Sequence, residues 1–256
     1  MKLTTWNVNG LRARLVHVID FLREQRPDVL CLQETKVVDE GFPAEPLEDE
    51  GYNIVHFGQK SYNGVAILAQ RPIEDVVYNL PDDDDGAERR VLGATIGDLM
   101  VLDLYVPNGQ DVGTDKYRYK LDWFRRLRAF LDARYATDEK VALVGDFNVA
   151  LEDRDVHDPA AWHERILCST EERAAMRSLL AFGLEDLLRR HHEESGIWTW
   201  WNYKAGSAQK DEGLRIDYVL GSPPLAERCT DVIVHREMRT RKAPSDHAPV
   251  TAVFED

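Results

Sequence analysis

The stretch Val141-Ala142-Leu143-Val144-Gly145-Asp146-Phe147-Asn148 places the tightest limit on what this chain can fold into. Four consecutive apolar residues suit a buried strand, and the glycine, acid and amide that follow put polar chemistry at its end. Residues i and i+2 of a strand share a face, so Asp146 and Asn148 project together if strand geometry persists past Gly145. A carboxylate and a carboxamide side by side can hold a phosphate, a water or a metal. Taken alone, Gly-Asp-x-Asn is more simply a turn after a strand. Recurrence shifts the balance, because several other apolar stretches of the chain end in the same way.

In chain order, residues 3–8 alternate enough to be a strand running into Asn9-Gly10, and Leu15, Val18, Ile19 and Leu22 then recur at helical spacing until Pro27. Residues 29–33 predict a short apolar strand followed by Glu34. Five more strands are predicted over 52–57, 65–69, 75–78, 91–96 and 100–106, the last carrying Tyr105 into the turn Pro107-Asn108-Gly109. Strands spaced this closely favour a sandwich over a Rossmann sheet. Residues 116–135 predict an amphipathic helix, with Leu121, Phe124, Leu127, Phe130 and Leu131 on one side and solvated Lys and Arg opposite. A short helix is expected near Ala160, and Ser169 or Thr170 caps a helix that runs to Phe182. The tryptophans of Trp198-Thr199-Trp200-Trp201 cannot all face one way in a strand, so at least one faces a cleft or solvent. Residues 214–220 read as one strand with Asp217 inside it, where a carboxylate is costly unless paired. Strands at 231–234 and 250–254 complete the set.

With no repeat, no low-complexity tract and no dividing linker, the 256 residues read as a single domain, 1–256. Hydrophobic residues at 43% and charged residues at 30% exclude disorder over most of the chain. No apolar run approaches the roughly 18 residues of a membrane span, and the N-terminus lacks the apolar core of a signal peptide. Cys31, Cys168 and Cys229 are odd in number and far apart, which indicates neither a disulfide framework nor a cysteine zinc site and fits reduced thiols in a cytoplasm. A net charge of −14 argues against a nucleic-acid partner without excluding one. Acid is concentrated locally, as at Asp82-Asp83-Asp84-Asp85, while 116–128 and 236–242 are rich in Lys and Arg.

Asn7, Glu34, Tyr105, Asp146, Asn148, Asp217, Asp246 and His247 all fall at or near strand ends, where packed sheets can build a site along one edge. A carboxylate-rich, cysteine-free group suits a hard cation such as Mg²⁺. Metal, imidazole and amides together suit attack of water on a phosphorus ester. His247, next to Asp246, is also a candidate partner for Asp217.

The blocks Trp6-Asn7-Val8-Asn9-Gly10-Leu11-Arg12-Ala13, Leu32-Gln33-Glu34-Thr35-Lys36, Asn63-Gly64-Val65-Ala66-Ile67, Gly145-Asp146-Phe147-Asn148, Leu214-Arg215-Ile216-Asp217-Tyr218 and Pro244-Ser245-Asp246-His247-Ala248-Pro249 closely resemble those of the exonuclease III family. These are bacterial abasic-site (AP) endonucleases of the endonuclease/exonuclease/phosphatase, DNase I-like, superfamily. The resemblance runs colinearly from Leu3 to Phe254. It implies an α/β fold, a four-layered sandwich of two packed mixed sheets flanked by helices. It implies a monomer that hydrolyses duplex DNA 5′ to abasic sites, with 3′-to-5′ exonuclease and 3′-phosphatase or 3′-phosphodiesterase activity on 3′-blocked ends, using Mg²⁺ with Mn²⁺ as a substitute.

Carried onto this sequence, the resemblance makes Glu34 the principal metal ligand, with Asn7, Asp246, Asp146 and Asn148 around the metal. Asp146 positions or deprotonates the attacking water, Asn148 and Asn7 hold the phosphate and nucleophile, and Tyr105 donates to a phosphate oxygen. His247, oriented by Asp217, stabilises transition-state charge. From chemistry alone the Asp217–His247 pair could equally be the general base; Asp146 is preferred. Trp200, Leu214 and Ile216 are expected to wall an abasic pocket, with Asn108 beside it, and Arg241 and Lys204 to meet DNA phosphates. Two departures stand out: Asn9 where some relatives have aspartate, and Leu214 where some have tryptophan. A Mg²⁺-dependent phosphatase acting on a phospholipid or inositol phosphate shares the Asp146/Asn148 and Asp246/His247 blocks and is the runner-up. A DNA-binding module that has lost catalysis is disfavoured, since every expected catalytic position is filled.

Overall fold

A computed structural model describes residues 1–84, 86–203 and 206–255. Asp85 and Lys204, both singled out in the sequence, lie outside the described residues. One six-stranded sheet is built from β1 (Lys2–Asn7), β2 (Val29–Gln33), β3 (Asn53–Phe57), β4 (Val65–Ala69), β13 (Cys229–Val234) and β14 (Val250–Phe254), in the order β13-β14-β1-β2-β4-β3. The other takes β5 (Glu74–Tyr78), β6 (Val91–Ile96), β7 (Leu99–Tyr105), β8 (Val141–Asp146), β9 (Glu185–Asp186) and β12 (Asp217–Gly221), in the order β5-β6-β7-β8-β12-β9. A two-residue ladder joins β10 (Trp200–Trp201) to β11 (Gly213–Leu214). Both large sheets are mixed: β1 runs parallel to β2 and β7 parallel to β8, the remaining pairings being antiparallel.

The period-two alternation of each strand decides which side chains meet between the sheets. Leu3, Val29, Cys31, Val65 and Ile67 of the first sheet pack against Leu92, Val101, Ala142, Val144 and Val219 of the second. On the outer faces, Trp6, Leu30 and Leu32 meet Leu11, Val18, Phe21 and Leu22 of the helix Leu11–Gln25. Leu102, Leu104, Leu143 and Leu220 meet Phe124, Leu127, Met176 and Leu179 of the helices Asp115–Arg134 and Thr170–Leu180. Helix, sheet, sheet and helix make the four layers expected. Ser169 caps Thr170–Leu180 through a capping box with Glu172.

The predicted strands end within a few residues of the observed ones, with one difference of kind. The strand expected over 214–220 is two strands, because Arg215 turns fully into the interior between Gly213–Leu214 and Asp217–Gly221. Its guanidinium donates to Asp155 at 2.8 and 3.1 Å and pairs with Asp186 at 2.7 Å. A buried guanidinium demands such partners, and meeting them breaks the ladder.

Candidate active site

Register carries the inter-sheet alternation through to the strand ends. Ala142 and Val144 face the other sheet, so Asp146, two residues further, does as well. Tyr105 and Asp217 are its cross-strand partners on β7 and β12. From the first sheet, Asn7 ends β1, Glu34 follows β2 in a left-handed conformation with φ 52°, and His247 precedes β14. The two sheets therefore bring their polar ends to one place. Gly145 allows the approach: at φ 140° it would set a β-carbon 1.9 Å from the Leu104 carbonyl oxygen. Strand geometry ends at Asp146. Asn148 adopts φ 50°, and its backbone N–H folds back onto Asp146 Oδ1 at 2.9 Å.

Asn7 Nδ2 bridges two carboxylates, Glu34 Oε1 at 2.8 Å and Asp146 Oδ2 at 2.9 Å, while its Oδ1 accepts from the Asn9 N–H. Two carboxylate neighbours fix the amide orientation, since only N–H can face them both. Asn7 thus presents a donor to both carboxylates. The buried Asp217 carboxylate has the partner its cost requires: His247 Nδ1 lies 2.9 Å away, and His247 Nε2 lies 3.7 Å from Asp146 Oδ2. Thr199 Oγ1 accepts from the Ile216 and Asp217 N–H groups, and Ser245 Oγ ties Asn7 to His247 by bonding the Asn7 carbonyl and the His247 N–H.

These contacts pull two titrations apart. Burial pushes the Asp146 carboxyl up to about 7, with Asp217 and Glu34 adding to the rise and His247 opposing it. Burial disfavours charge on His247, but Asp217 and Asp146 outweigh it and raise the imidazole to about 10. Tyr105 is raised well above the ordinary phenol by burial, Glu34 and Asp146, and the Arg90 guanidinium lies 4.7 Å from its ring centroid. Asp246 is held below the ordinary carboxylate range: burial opposes this, and His247, Asn9 and Trp200 prevail.

Glu34, Asp146 and His247 each offer an atom within 4.8 Å of the others, the one such metal-competent group among the described residues. A protonated imidazole is a donor and not a ligand, so the oxygens of Glu34 and Asp146 are the better pair for a hard cation. The site already accommodates positive charge there, with Lys36 Nζ 2.8 Å from Glu34 Oε2. Asp246 lies outside this group. Asp246 accepts from Asn9 Nδ2 at 2.9 Å and Trp200 Nε1 at 3.1 Å. Asn148 donates to the Val106 carbonyl and accepts from Asn108 Nδ2 at 3.1 Å.

The expected pocket wall sits deeper than its role requires. Leu214 is 0% exposed and Ile216 1%, packed with Val156, Leu167 and Cys168, so of the three only Trp200 reaches the surface, beside the half-buried Trp162 and Ile166. The Arg241 guanidinium pairs with Asp20 at 2.7 Å and Glu24 at 2.9 Å on the helix Leu11–Gln25. Sequence reasoning missed Lys120, which is fully buried under the Asn108 and Asn148 loops. A signal existed: position 120 falls on the apolar stripe of its helix with Tyr117, Phe124, Leu127 and Leu131.

Comparison with known proteins agrees along the whole chain. The Endonuclease/Exonuclease/phosphatase family matches residues 4–247. Exodeoxyribonuclease III of Haemophilus influenzae is 34% identical over 99% of this chain and 100% of its own. The structure of the 3′ phosphatase NExo from Neisseria, an Asp-to-Asn variant bound to a product DNA hairpin, superposes with a TM-score of 0.96 at 43% identity, covering all of both chains. An AP endonuclease from Archaeoglobus fulgidus gives a TM-score of 0.96 at 39% identity, again over all of both chains. The chain belongs to the endonuclease/exonuclease/phosphatase family, as a member of exonuclease III type.

Proposed function

We propose that this chain is a DNA-repair nuclease, acting as a single-domain monomer in the cytoplasm, that hydrolyses duplex DNA 5′ to abasic sites and trims 3′-blocked ends by exonuclease and 3′-phosphatase or 3′-phosphodiesterase chemistry. The observation that carries the reading is Asp146, poised at about 7, facing a His247 held cationic by Asp217. A carboxylate near neutrality can take the proton of an attacking water, and an imidazolium 3.7 Å away can donate to the phosphate oxygen on which charge builds. Tyr105, kept protonated, supplies a second donor, and Asn148 and Asn7 orient the phosphate and the water. Glu34, with Asp146 alongside, would hold Mg²⁺ or Mn²⁺, which when bound neutralises phosphate charge. Trp200 offers the bare sugar an aromatic surface, and Asn108 is a further contact to the DNA. No helix among the described residues is long and apolar enough to cross a membrane.

The test is cleavage of a duplex carrying one abasic analogue and of a duplex ending in a 3′-phosphate, each with and without EDTA, beside an inositol phosphate. EDTA-sensitive turnover of the DNA substrates alone is expected. Release of phosphate from the inositol ester with intact DNA would replace this reading by the lipid or inositol phosphatase one.

A further inference from the structure

Lys120 is fully buried, whereas every other cation of its helix keeps some exposed surface. Burial lowers its pKa from the ordinary ammonium value, and Glu172 opposes the fall. The ammonium has three partners, matching its three N–H bonds: the Asn148 carbonyl at 2.7 Å, the Asn108 carbonyl at 3.1 Å, and Glu172. Glu172 is equally buried and is held from behind by the N–H groups of Leu167 and Ser169 at 3.1 Å and by the Ser169 hydroxyl at 2.6 Å. The loop is fitted closely over the lysine. At Gly109, with φ 89°, a β-carbon would lie 3.0 Å from Lys120 Cδ.

Both carbonyls belong to residues whose side chains pair with each other next to Asp146. Asn108 Nδ2 bonds Asn148 Oδ1, and the Asn148 N–H bonds Asp146. Asn148 holds a left-handed backbone that few side chains adopt unaided. One ammonium thus clamps the two loops that flank Asp146, from the side away from solvent.

The geometry points to Lys120 as a positioning residue for phosphodiester hydrolysis, fixing the Asn148 and Asn108 side chains relative to Asp146 through their backbone carbonyls. Glu172 is its counterion and touches no site residue. This inference rests on the nuclease reading above, because the property it sets is turnover of DNA. Small displacements of such groups are expensive: about 1 Å costs up to about a hundredfold in rate.

The test uses the full chain on a 3′-recessed DNA duplex with Mg²⁺, reading kcat, KM and a thermal melt. Glu172→Gln keeps Lys120 and an acceptor for Ser169, and should melt lower with kcat unchanged. Adding Lys120→Met removes the clamp without stranding a charge. We expect kcat to fall at least about tenfold below Glu172→Gln with KM unchanged. In an Asn148→Ala background the same addition should cost less, since part of what the clamp positions, the Asn148 amide, is already gone. Equal kcat in the two variants, or the full loss recurring in Asn148→Ala, overturns the inference. Should the double variant not fold, Lys120→Arg retains the ion pair but replaces three converging N–H bonds by a planar fork. Reduced kcat in that folded variant supports the inference and full activity overturns it. A parent that leaves the duplex intact would instead overturn the nuclease reading itself.

Discussion

At the scale of single residues, cost was the most legible signal. An aspartate in an apolar strand needs a partner, and Asp217 has His247. That coupling makes a prediction about pH. His247 opposes the rise of the Asp146 pKa, so His247→Gln should move the acid limb of kcat, set by Asp146 at about 7, to higher pH while lowering the maximum about a hundredfold or more. Asp146→Asn should lose turnover on the same scale and keep its affinity for DNA. An acid limb that stays in place in His247→Gln would separate Asp146 from proton transfer. Arg241 illustrates the opposite case: a basic run says where cations are but not which carboxylates claim them, and those claiming Arg241 lie more than 200 residues earlier in the chain. Arg241→Ala should leave the salt dependence of DNA binding unaltered and cost less than about 1 kcal/mol, as for other half-exposed ion pairs. A flatter salt dependence would place Arg241 among the DNA contacts.

At the scale of elements, apolar periodicity located strands and helices because burial on a face repeats with the geometry. It failed where a buried charge interrupts the repeat. Residues 214–220 look continuous, yet Arg215 breaks the strand to reach Asp155, and the following register, fixed by Thr199, delivers Asp217 to the site. Burial raises the Asp155 pKa, but Arg215 and Arg189 prevail and hold it below the ordinary aspartate value of 3.8. A carboxylate with a depressed folded pKa contributes stability that is complete above the unfolded value and is lost as pH falls through the folded one. Asp155→Asn should therefore destabilise by about 3–5 kcal/mol near neutrality, as expected when one partner of a buried pair is removed. The deficit against the parent should shrink as pH drops below 3.8. Urea titrations at a series of pH values measure it, and a deficit independent of pH would mean that Asp155 acts by shape alone.

At the scale of the whole molecule, the sequence carried the longer strands and their polar ends, though not the two-residue strands β9 and β10. The abasic wall was not legible, because an apolar residue near a site reads the same whether it lines the surface, like Trp200, or backs it, like Leu214. Sheet pairing was not legible either, and here it matters, since neither sheet holds the site alone. Asn7, Glu34 and His247 flank strands of one, whereas Tyr105, Asp146 and Asp217 belong to the other. Their 2.9 Å contacts cross the gap that Leu92 and its neighbours fill, so the thickness of that layer sets the site's geometry. Leu22 is equally buried, but between a helix and the outer face of one sheet. Leu92→Ala and Leu22→Ala should each cost about 2–5 kcal/mol. At a temperature where both remain folded, collapse around the Leu92 cavity should shift one sheet against the other and lower kcat, whereas the Leu22 cavity leaves the two sheets in register and kcat intact. Urea midpoints beside single-turnover rates on a nicked duplex decide the matter: equal rates at equal stability would show that the strand ends, and not the packing between the sheets, set the geometry of the site.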